Sequence, residues 1–327
     1  MTHPKKIIII ESAPGARLTN QLWNFISIYA YCLERGFSCK NYSFFELKRQ
    51  PDGRYSRCDY NNFFDLPRGG WLNRLMIACQ ISQNKFCQKL RPCSRYVNFI
   101  KKYFSNRIID SGIALKYNDV FYLPPSDVKS EHDKKELKKI ESSSYKNIYT
   151  TGWLFRNPIG IIKHRQKILE FFKPKEHLIK KVNNFTNPLK SNYEEFIGIH
   201  IRQGDYKNFD GGKHFFEQNK IREIIDNFLL NFNKNKKKVL FIICSDGNID
   251  EKVFNDLNIK ISHNSAVESL FILASTNLII GSNSTFGALA AYLGNISFIV
   301  FEKEIDWNYY RNKKEYFENK KCTTVCY

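Results

Sequence analysis

The chain has 327 residues, about twice the length of a typical single domain, so we expect two domains of comparable size. Hydrophobic residues make up 43% and aromatic residues 15% of the sequence, which excludes an intrinsically disordered chain. No apolar run approaches the roughly 20 residues of a membrane-spanning helix, and the first apolar run is too short for a signal peptide. We therefore expect a cytosolic protein.

The formal net charge of +19 falls entirely on the first 190 residues. Residues 1–190 carry 34 basic and 15 acidic side chains, whereas residues 191–327 carry 17 of each. A basic half of this size attracts nucleic acid, anionic lipid or phosphorylated substrates, because all three use the same Coulomb attraction. A lysine-rich composition bias is the remaining alternative, and charge alone does not choose among the four.

The chain contains nine cysteines, an odd number, without a CxxC pair or a zinc-finger spacing. In a cytosolic chain we expect them to be reduced and to serve mostly as small apolar residues.

The first predicted elements are a strand, a loop and a helix. Residues 5–11 form an apolar run too short for a helix, and a loop with Pro and Gly follows at residues 12–17. From Asn20, apolar residues recur at intervals of three and four until Arg35 and Gly36 supply a stop signal. This arrangement places backbone N–H groups where a ligand can bind.

Residues 71–107 combine apolar side chains with eight Lys and Arg residues and contain no acid. Two helices broken near Pro92 would each have an apolar and a basic face, which is typical of a segment lying on an anionic membrane. A core helix pair with a solvated basic face fits the pattern equally well. Residues 124–146 begin with a Pro pair, end in a Ser run and predict an exposed helix and loop.

The second half of the chain alternates strands and helices, which predicts a parallel sheet with right-handed crossovers in a Rossmann-like domain. The predicted strands are 195–201, 239–244, 259–262, 277–280 and 296–301, and the predicted helices are 216–232, 248–256, 266–275 and 284–293. Ligands on such sheets bind at the carboxyl ends of the strands.

Two of the segments that follow these strands have anion-binding chemistry. Alternation along a strand places His200 and Arg202 on one face, and Gly204 permits a sharp turn. Arg202 can make paired hydrogen bonds to a phosphate, and residues 282–285 offer hydroxyls and the positive end of a helix dipole. Together they predict a cradle for a diphosphate. The alternative is an Arg that bridges loops and a Ser that only caps a helix.

Several segments of the sequence resemble motifs of a known family, the GT11-type fucosyltransferases. Residues 200–206 (HIRQGDY) resemble the family's HxRxGDY signature, residues 282–286 (SNSTF) its SNSSF segment, and residues 15–21 its N-terminal GxLGNQ loop. Residues 241–246 (FIICSD) match a strand ending in Ser-Asp, and residues 149–153 resemble a GYWQ-like segment. These matches occur in the family's order along nearly the whole chain.

The resemblance implies an α/β chain of the GT-B class, with two Rossmann-like domains facing across a cleft. Residues 1–190, with a helical insertion at about 71–107, would be the acceptor-side domain, and residues 191–327 the nucleotide-sugar domain. It also implies an inverting, metal-independent transfer of fucose from GDP-fucose to a galactose hydroxyl through an α-1,2 bond. The chain has no DxD pair, the usual Mg²⁺ site between donor phosphates.

Three departures from the family pattern bear on the acceptor and the linkage. Thr19 replaces the second Gly of the N-terminal loop, Gln203 replaces a usual Arg, and residues 287–289 replace a Ser-Trp-Trp segment. Arg202 itself is present, so the type of donor is retained.

The predicted site residues fall into four groups. Catalytic candidates are Arg202, Asp205 and Asn20; donor-binding candidates are His200, Arg202, Asp246, Asn283, Ser284, Thr285 and Phe286; N-terminal loop candidates are Gly15, Arg17, Asn20 and Gln21; acceptor-side candidates are Trp153 and Tyr206. Asp205 is the nearest candidate for a general base, and its alternative role is to brace its loop. No cofactor or metal is expected.

The predicted partners are a GDP-sugar donor and a glycan acceptor, the latter on a lipid carrier used in surface polysaccharide or lipid-linked oligosaccharide synthesis. With the basic half on the acceptor side, we expect peripheral attachment to the inner membrane face.

Two alternative functions remain open. One is a GT-B transferase with another nucleotide sugar or a protein acceptor. The other is a nucleic-acid-binding protein that stacks bases on Trp71, Tyr96 and Tyr103, although no RNA- or DNA-binding motif accompanies the charge.

Overall fold

The computed structural model describes residues 6–11, 17–41, 45–49, 55–59, 120–122, 131–143, 147–151 and 155–312. The chain divides into two compact units, Met1–Lys173 and Pro174–Tyr327. Gly15, Trp153 and the basic segment 71–107 lie outside the described residues, so the predictions made for them stay predictions.

The first unit contains a four-stranded parallel sheet with the strand order β2-β1-β6-β5. Its strands are β1 (Ile7–Glu11), β2 (Ser38–Asn41), β5 (Val120–Tyr122) and β6 (Asn147–Thr151), and a separate antiparallel pair is formed by β3 (Phe45–Arg49) and β4 (Tyr55–Asp59). The strand predicted at residues 5–11 is therefore the inner strand β1.

Helix α1 (Leu18–Arg35) follows β1, and most of its residues are buried. It begins two residues before the predicted start at Asn20, because Leu18 and Thr19 are also buried. It ends as predicted at Gly36, whose φ of 67° is the left-handed conformation that glycine adopts without a Cβ clash. The other described helices of the unit are α2 (Glu131–Ser142), α3 (Pro158–Lys163) and α4 (Arg165–Phe171).

The buried Lys6, just before β1, ties the sheet to the end of α2. Its Nζ donates hydrogen bonds to the carbonyls of Ile140 at 3.0 Å and Glu141 at 2.7 Å, and to that of Ser143. The last carbonyls of an α-helix lack an N–H partner from a following turn, so an ammonium at this end binds them and interacts favourably with the negative end of the helix dipole. Burial lowers the pKa of Lys6, and Glu141 opposes this change.

The second unit is built on a five-stranded, wholly parallel sheet with the strand order β11-β10-β7-β8-β9. Its strands are β7 (Glu195–Ile201), β8 (Val239–Ser245), β9 (Ile259–Ser262), β10 (Leu278–Gly281) and β11 (Ser297–Val300), and its α-helices are α5 (Glu176–Thr186), α6 (Gln218–Asn231), α7 (Ala266–Ala274), α8 (Thr285–Gly294) and α9 (Trp307–Arg311). All five strands agree with the predicted ones to within one residue at each end, and the α/β class with a Rossmann-like sheet is confirmed.

The two faces of β7 have different neighbours. Ile197, Ile199 and Ile201 belong to the apolar core that also contains the buried residues of α6. On the opposite face, a Cβ at Gly198 would meet Leu273 of α7 at 2.8 Å. His200 lies on this second face, and its ring stacks on Phe286 of α8. The alternation of the strand thus directs His200 toward the α7 and α8 side.

Two features of this unit differ from the sequence prediction. The helix predicted at 248–256 is only a 3-10 turn, Glu251–Phe254, capped by Asp250. The Val253 N–H donates to the Asp250 carbonyl at 3.1 Å, the i-to-i+3 bond of a 3-10 turn, and the last residue of the turn, Phe254, is buried. The division between the units lies at Lys173/Pro174 and not near residue 190, because α5 packs against α7 and Lys181 pairs with Glu268 at 2.7 Å.

Candidate functional site

The carboxyl ends of β7 and β10 form the point at which the sheet changes direction. From β7, the chain proceeds to β8 and β9 on one side, and then returns to β10 and β11 on the other. Crevices at such switch points are the usual ligand sites of open α/β sheets. The loops after β7 and β10 lie side by side here, since the backbone N–H of Arg202 donates to Ser282 Oγ at 2.9 Å and that of Ser282 donates to the His200 carbonyl at 2.9 Å.

Ser284 is the N-cap of α8. Its hydroxyl accepts a hydrogen bond from the backbone N–H of Phe286 at 3.2 Å, and it lies 2.9 Å from His200 Nε2. The Phe286 ring stacks on His200 with a centroid separation of 5.0 Å. Ser284 and His200 are both buried. The imidazole therefore lies beneath the start of α8 and fixes the Ser284 hydroxyl.

The environment of His200 keeps its ring uncharged at neutral pH. Burial lowers its pKa to about 4, with a contribution from Arg202, while Asp246 opposes the shift. The close packing depends on two glycines. A Cβ at Gly281 would lie 2.6 Å from the His200 carbonyl oxygen, and one at Gly287 would lie 3.2 Å from His200 Cδ2.

The Arg202 guanidinium is held from two sides. Nε and Nη2 donate to the two oxygens of Asp205 at 2.8 and 2.7 Å, and the group lies over the Tyr206 ring at 4.6 Å from its centroid. Burial opposes the charge, but the hydrogen bonds to Asp205 outweigh it and raise the pKa of Arg202. Within the described residues these bonds use two of the five N–H groups of the side chain, so three remain for a ligand.

Asp246 braces the turn that carries Arg202. Its Oδ1 accepts hydrogen bonds from the backbone N–H groups of Gln203 at 2.7 Å and Gly204 at 3.2 Å. The Gln203 side chain packs against Gly247, where a Cβ would come within 2.6 Å of Oε1. The turn after β7 is therefore fixed by β8 on one side, as it is by β10 on the other.

Tyr206 joins the loop after β7 to the loop after β10. Its hydroxyl donates to the Asn283 carbonyl at 2.8 Å, and the residue is buried. Beyond it, the loop continues through Phe209 to His214. Their rings lie 5.7 and 5.8 Å from that of Tyr206.

The structure brings together at this edge of the second unit all seven predicted donor-binding residues, which are His200, Arg202, Asp246, Asn283, Ser284, Thr285 and Phe286. The catalytic candidate Asp205 and the acceptor-side candidate Tyr206 lie beside them. Ser282 belongs to the predicted cradle segment 282–285 but was not among the donor-binding candidates; it is 2% exposed and accepts from the Arg202 backbone. Its position in the motif after β10 was the available signal. Phe209 and His214 were also omitted, and no motif contained them.

Three predicted residues of the N-terminal loop belong to the first unit. Arg17 is exposed and immediately precedes α1, whereas Asn20 is half-buried and Gln21 is buried in the first turn of that helix. Their roles stay predictions.

Among the described residues, no group of three or more His, Cys, Asp or Glu side chains is arranged to hold a metal ion. No helix in the described part of the chain has the length and apolar character needed to cross a membrane.

Comparison with known proteins identifies the family. Residues 125–320, more than half of the chain, match glycosyl transferase family 11, so the chain belongs to this family and the resemblance noted in the sequence is confirmed. The comparison with curated proteins found no match.

Solved structures show the fold. POFUT1 in complex with GDP-fucose aligns with a TM-score of 0.55 and 13% identity, over 92% of this chain and 99% of that chain. POFUT1 in complex with GDP gives a TM-score of 0.53 and 12% identity over the same shares. A mutant of Arabidopsis thaliana FUT1 in complex with GDP gives 0.51 and 13%, over 94% of this chain and 72% of that one. These likenesses confirm the predicted GT-B-like class.

Proposed function

We propose that this protein transfers fucose from GDP-fucose to a hydroxyl of a glycan, and that Arg202 and the start of α8 hold the donor diphosphate. Membership of glycosyl transferase family 11 supports a glycosyl transfer. The fold is shared with POFUT1, a protein crystallised with GDP-fucose. The observation that carries the proposal is the hydrogen bond from Arg202 N–H to Ser282 Oγ, which places the guanidinium loop beside the α8 N-terminus.

The chemistry of the transfer explains why an arginine and a helix N-terminus belong together. As the bond between fucose C1 and the diphosphate oxygen breaks, negative charge grows on the diphosphate and positive charge grows on the sugar ring. The remaining N–H groups of Arg202 and the positive end of the α8 helix dipole would stabilise the growing negative charge. Because both are held in place before the donor arrives, little reorganisation is needed during the reaction.

The acceptor oxygen completes the exchange of bonds. It attacks C1 from the face opposite the diphosphate, so the new bond forms with inversion while the C1–O bond to GDP breaks. The hydroxyl proton leaves to a base, and GDP departs with the bonding electrons.

Three neighbouring residues, His200, Asp205 and Asp246, position the groups that bind the diphosphate. His200 fixes the Ser284 hydroxyl at 2.9 Å, so its role is to position Ser284 and not to contact the sugar. Asp205 aligns the guanidinium through two hydrogen bonds. Asp246 holds the turn, and its second oxygen, Oδ2, is the atom we assign to the nucleoside hydroxyls, as an acid after the second strand does in Rossmann sheets.

For the acceptor, we propose the 2-hydroxyl of a galactose unit, in an inverting α-1,2 transfer that requires no metal. The resemblance to GT11-type fucosyltransferases supports this choice. The purified protein with GDP-fucose and lactose is expected to release GDP at the same rate with and without EDTA. NMR of the product would locate fucose on galactose O2. Fucose on another hydroxyl, or a rate lost in EDTA, would contradict this part of the proposal.

The role of Arg202 is tested by substitution. Arg202→Ala is expected to lower kcat/KM about a hundredfold, because the loss of a charged contact to the leaving group raises the barrier by roughly 3 kcal/mol.

The matched control is Arg222→Ala. Arg222 is another arginine of the second unit that is paired with carboxylates, here Asp226 and Asp256 on the surface of α6 and the nearby 3-10 turn. It should keep nearly full activity. A folded Arg202→Ala protein with most of its turnover would contradict the assignment.

A further inference from the structure

The loop that follows Arg202 carries three aromatic rings, and only the Tyr206 ring contacts the proposed donor site. The Phe209 ring stacks on those of Tyr206 and His214 with centroid separations of 5.7 and 6.0 Å, and the Tyr206 and His214 rings are tilted to each other at 5.8 Å. We refer to these three residues as the aromatic ledge. Tyr206 is 5% exposed, whereas Phe209 is 54% exposed. A large apolar ring held in a stack and turned to solvent is the kind of surface that binds a ligand.

The backbone of the ledge is held in an unusual conformation. Asp210, Gly211 and Gly212 have φ values of 51°, 67° and 77°, so three consecutive residues adopt positive φ, and the first of them is not a glycine. A Cβ at Gly212 would lie 3.0 Å from the Lys207 carbonyl oxygen. The two glycines adopt this region without strain, whereas Asp210 does not, and a strained non-glycine residue persists only where the surroundings enforce it, often at a ligand site.

Polar groups border the exposed ring. The Asp210 carboxylate is half-exposed and pairs with Lys213, and it lies 3.8 Å from His214 Nε2. The hydrogen bond from Lys213 lowers the pKa of Asp210, so this carboxylate is charged at neutral pH and accepts hydrogen bonds. Burial and Lys213 lower the pKa of His214, so its ring is mainly neutral there. An aromatic face beside a carboxylate suits a sugar ring, which has an apolar C–H face and hydroxyls at its edge.

The ledge adjoins the proposed diphosphate site. The Arg202 guanidinium lies 4.6 Å from the Tyr206 centroid, and Phe209 follows 5.7 Å beyond that centroid. The distance from the Arg202 guanidinium past Tyr206 to Phe209 is thus roughly the length of one or two sugar rings. The ledge is tied to the β10 side of the switch point through the bond from Tyr206 to the Asn283 carbonyl, whereas Asp246 lies on the β8 side. The nucleoside and the ledge ligand therefore take opposite sides of Arg202.

We propose that the aromatic ledge is the acceptor subsite, and that the C–H face of the acceptor pyranose stacks on Phe209 while Asp210 accepts hydrogen bonds from its hydroxyls. This inference rests on the proposed function and adds a location and a chemistry for the acceptor. It makes Phe209 a specificity residue for the second substrate and not for the donor.

The test uses the full-length protein, GDP calorimetry and transfer from GDP-fucose to a glycan array. Phe209→Ala is expected to raise the acceptor KM about tenfold or more with unchanged GDP affinity, because a stacking face is lost. Phe209→Trp, which restores a stacking face, should return the acceptor KM to within about threefold of the wild type. Leu230→Ala is the matched control, since Leu230 is a 74% exposed apolar residue of α6 in the same unit, and it should change neither quantity.

The outcomes separate this inference from the proposed function. If the wild type does not bind GDP, the proposed function fails. If it binds GDP and Phe209→Ala lowers GDP affinity, the ledge serves the nucleotide and the inference is overturned. The inference is also overturned if Phe209→Ala leaves the acceptor KM unchanged, or if the wild type hydrolyses GDP-fucose but transfers to no glycan on the array.

Discussion

At the scale of single residues, the site contains pairs of side chains in which one fixes the position of the other through hydrogen bonds. Asp205 holds Arg202, and His200 holds Ser284. In each pair we expect one member to contact the donor and the other to fix its partner's geometry. Such fixed geometry matters because preorganised donors stabilise a developing charge without reorienting first.

For Asp205, two roles give different kinetics. If it positions Arg202, Asp205→Asn should weaken GDP binding about tenfold and preserve the shape of the pH–rate profile, because the guanidinium loses an ionic partner. If Asp205 were the general base, the same substitution would leave GDP affinity intact, lower kcat and remove the acidic limb of the profile. Calorimetry and a pH–rate series on one variant decide between them.

The control for this experiment is Asp226→Asn. Asp226 forms the same kind of two-point pair with Arg222, with both distances at 3.0 Å, on the exposed surface of α6. It should leave GDP affinity and kcat unchanged.

His200 makes stability depend on pH in a defined direction. Its pKa is lowered to about 4 in the folded protein, against roughly 6.5 in an unfolded chain. Below pH 6.5 the unfolded chain takes up the proton first, so the stability contributed by the neutral ring is full above that pH and is lost as the pH falls toward 4. Between pH 7.5 and 5 the free energy of unfolding should fall by about 2 kcal/mol through this residue.

Urea unfolding of the wild type and His200→Asn at both pH values measures that difference. The wild type should lose about 2 kcal/mol more than the variant on going to pH 5. A His263→Asn variant, altered at an exposed histidine after β9, should behave as the wild type does. An NMR titration of the His200 ring gives the same answer without a substitution, and an imidazole that titrates near pH 6.5 would contradict the argument.

At the scale of elements, α7 and α8 of the second unit are each capped by a serine and serve as each other's control. Ser265 caps α7 in a reciprocal box with Glu268, with hydrogen bonds of 2.8 and 3.4 Å. Ser284 caps α8 through Phe286 N–H. Both serines satisfy backbone groups that the helix leaves unpaired.

Substitution of the two caps should separate capping from donor binding. Ser265→Ala and Ser284→Ala should each lower the free energy of unfolding by about 1 kcal/mol through loss of the cap. Ser284→Ala should have a further effect, since it leaves the buried His200 Nε2 without its partner.

GDP calorimetry completes the comparison of the caps. Only Ser284→Ala should weaken GDP binding, because only α8 begins at the switch point. Equal GDP affinity in the two variants would mean that α8 takes no part in donor binding.

The elements of the second unit were predictable because its parallel strands are buried on both faces. Such strands appear as continuous apolar runs, as in residues 239–244, between polar or glycine-containing segments. The 3-10 turn at Glu251–Phe254 was not predictable as such, since four residues are too few to show whether the repeat is that of a 3-10 turn or of an α-helix. The start of α1 was placed late because the burial of Leu18 depends on tertiary packing that the sequence does not display.

The site was predictable in position but only partly in detail. Arg202 and Ser284 each follow a strand, and parallel strands align their carboxyl ends, so their convergence follows from the fold class. Which partner each one takes depends on side-chain rotamers. The sequence therefore indicated neither the fixing of Ser284 by His200 nor the use of Asp246 Oδ1 to hold a turn. The aromatic ledge could not be predicted, because residues 206–214 show no regular hydrophobic repeat. The positive φ values at residues 210–212 that bring its rings together are not visible in such a pattern either.

At the scale of the whole molecule, the family and the fold agree with the diphosphate site proposed at the carboxyl ends of β7 and β10. The match to glycosyl transferase family 11 covers residues 125–320 and so includes residues 174–320 of the second unit. The second half carries equal numbers of acidic and basic residues, so the positive character of the proposed donor site comes from Arg202 and a helix terminus and not from bulk charge.

The most direct test of this account is a crystal structure of the protein with GDP. We expect the two phosphates to lie in the crevice between β7 and β10, with oxygens within 3.2 Å both of the Arg202 guanidinium and of Ser284 Oγ or the first backbone N–H groups of α8. A diphosphate that contacts only one of these groups, or that binds elsewhere on the chain, would contradict the central claim.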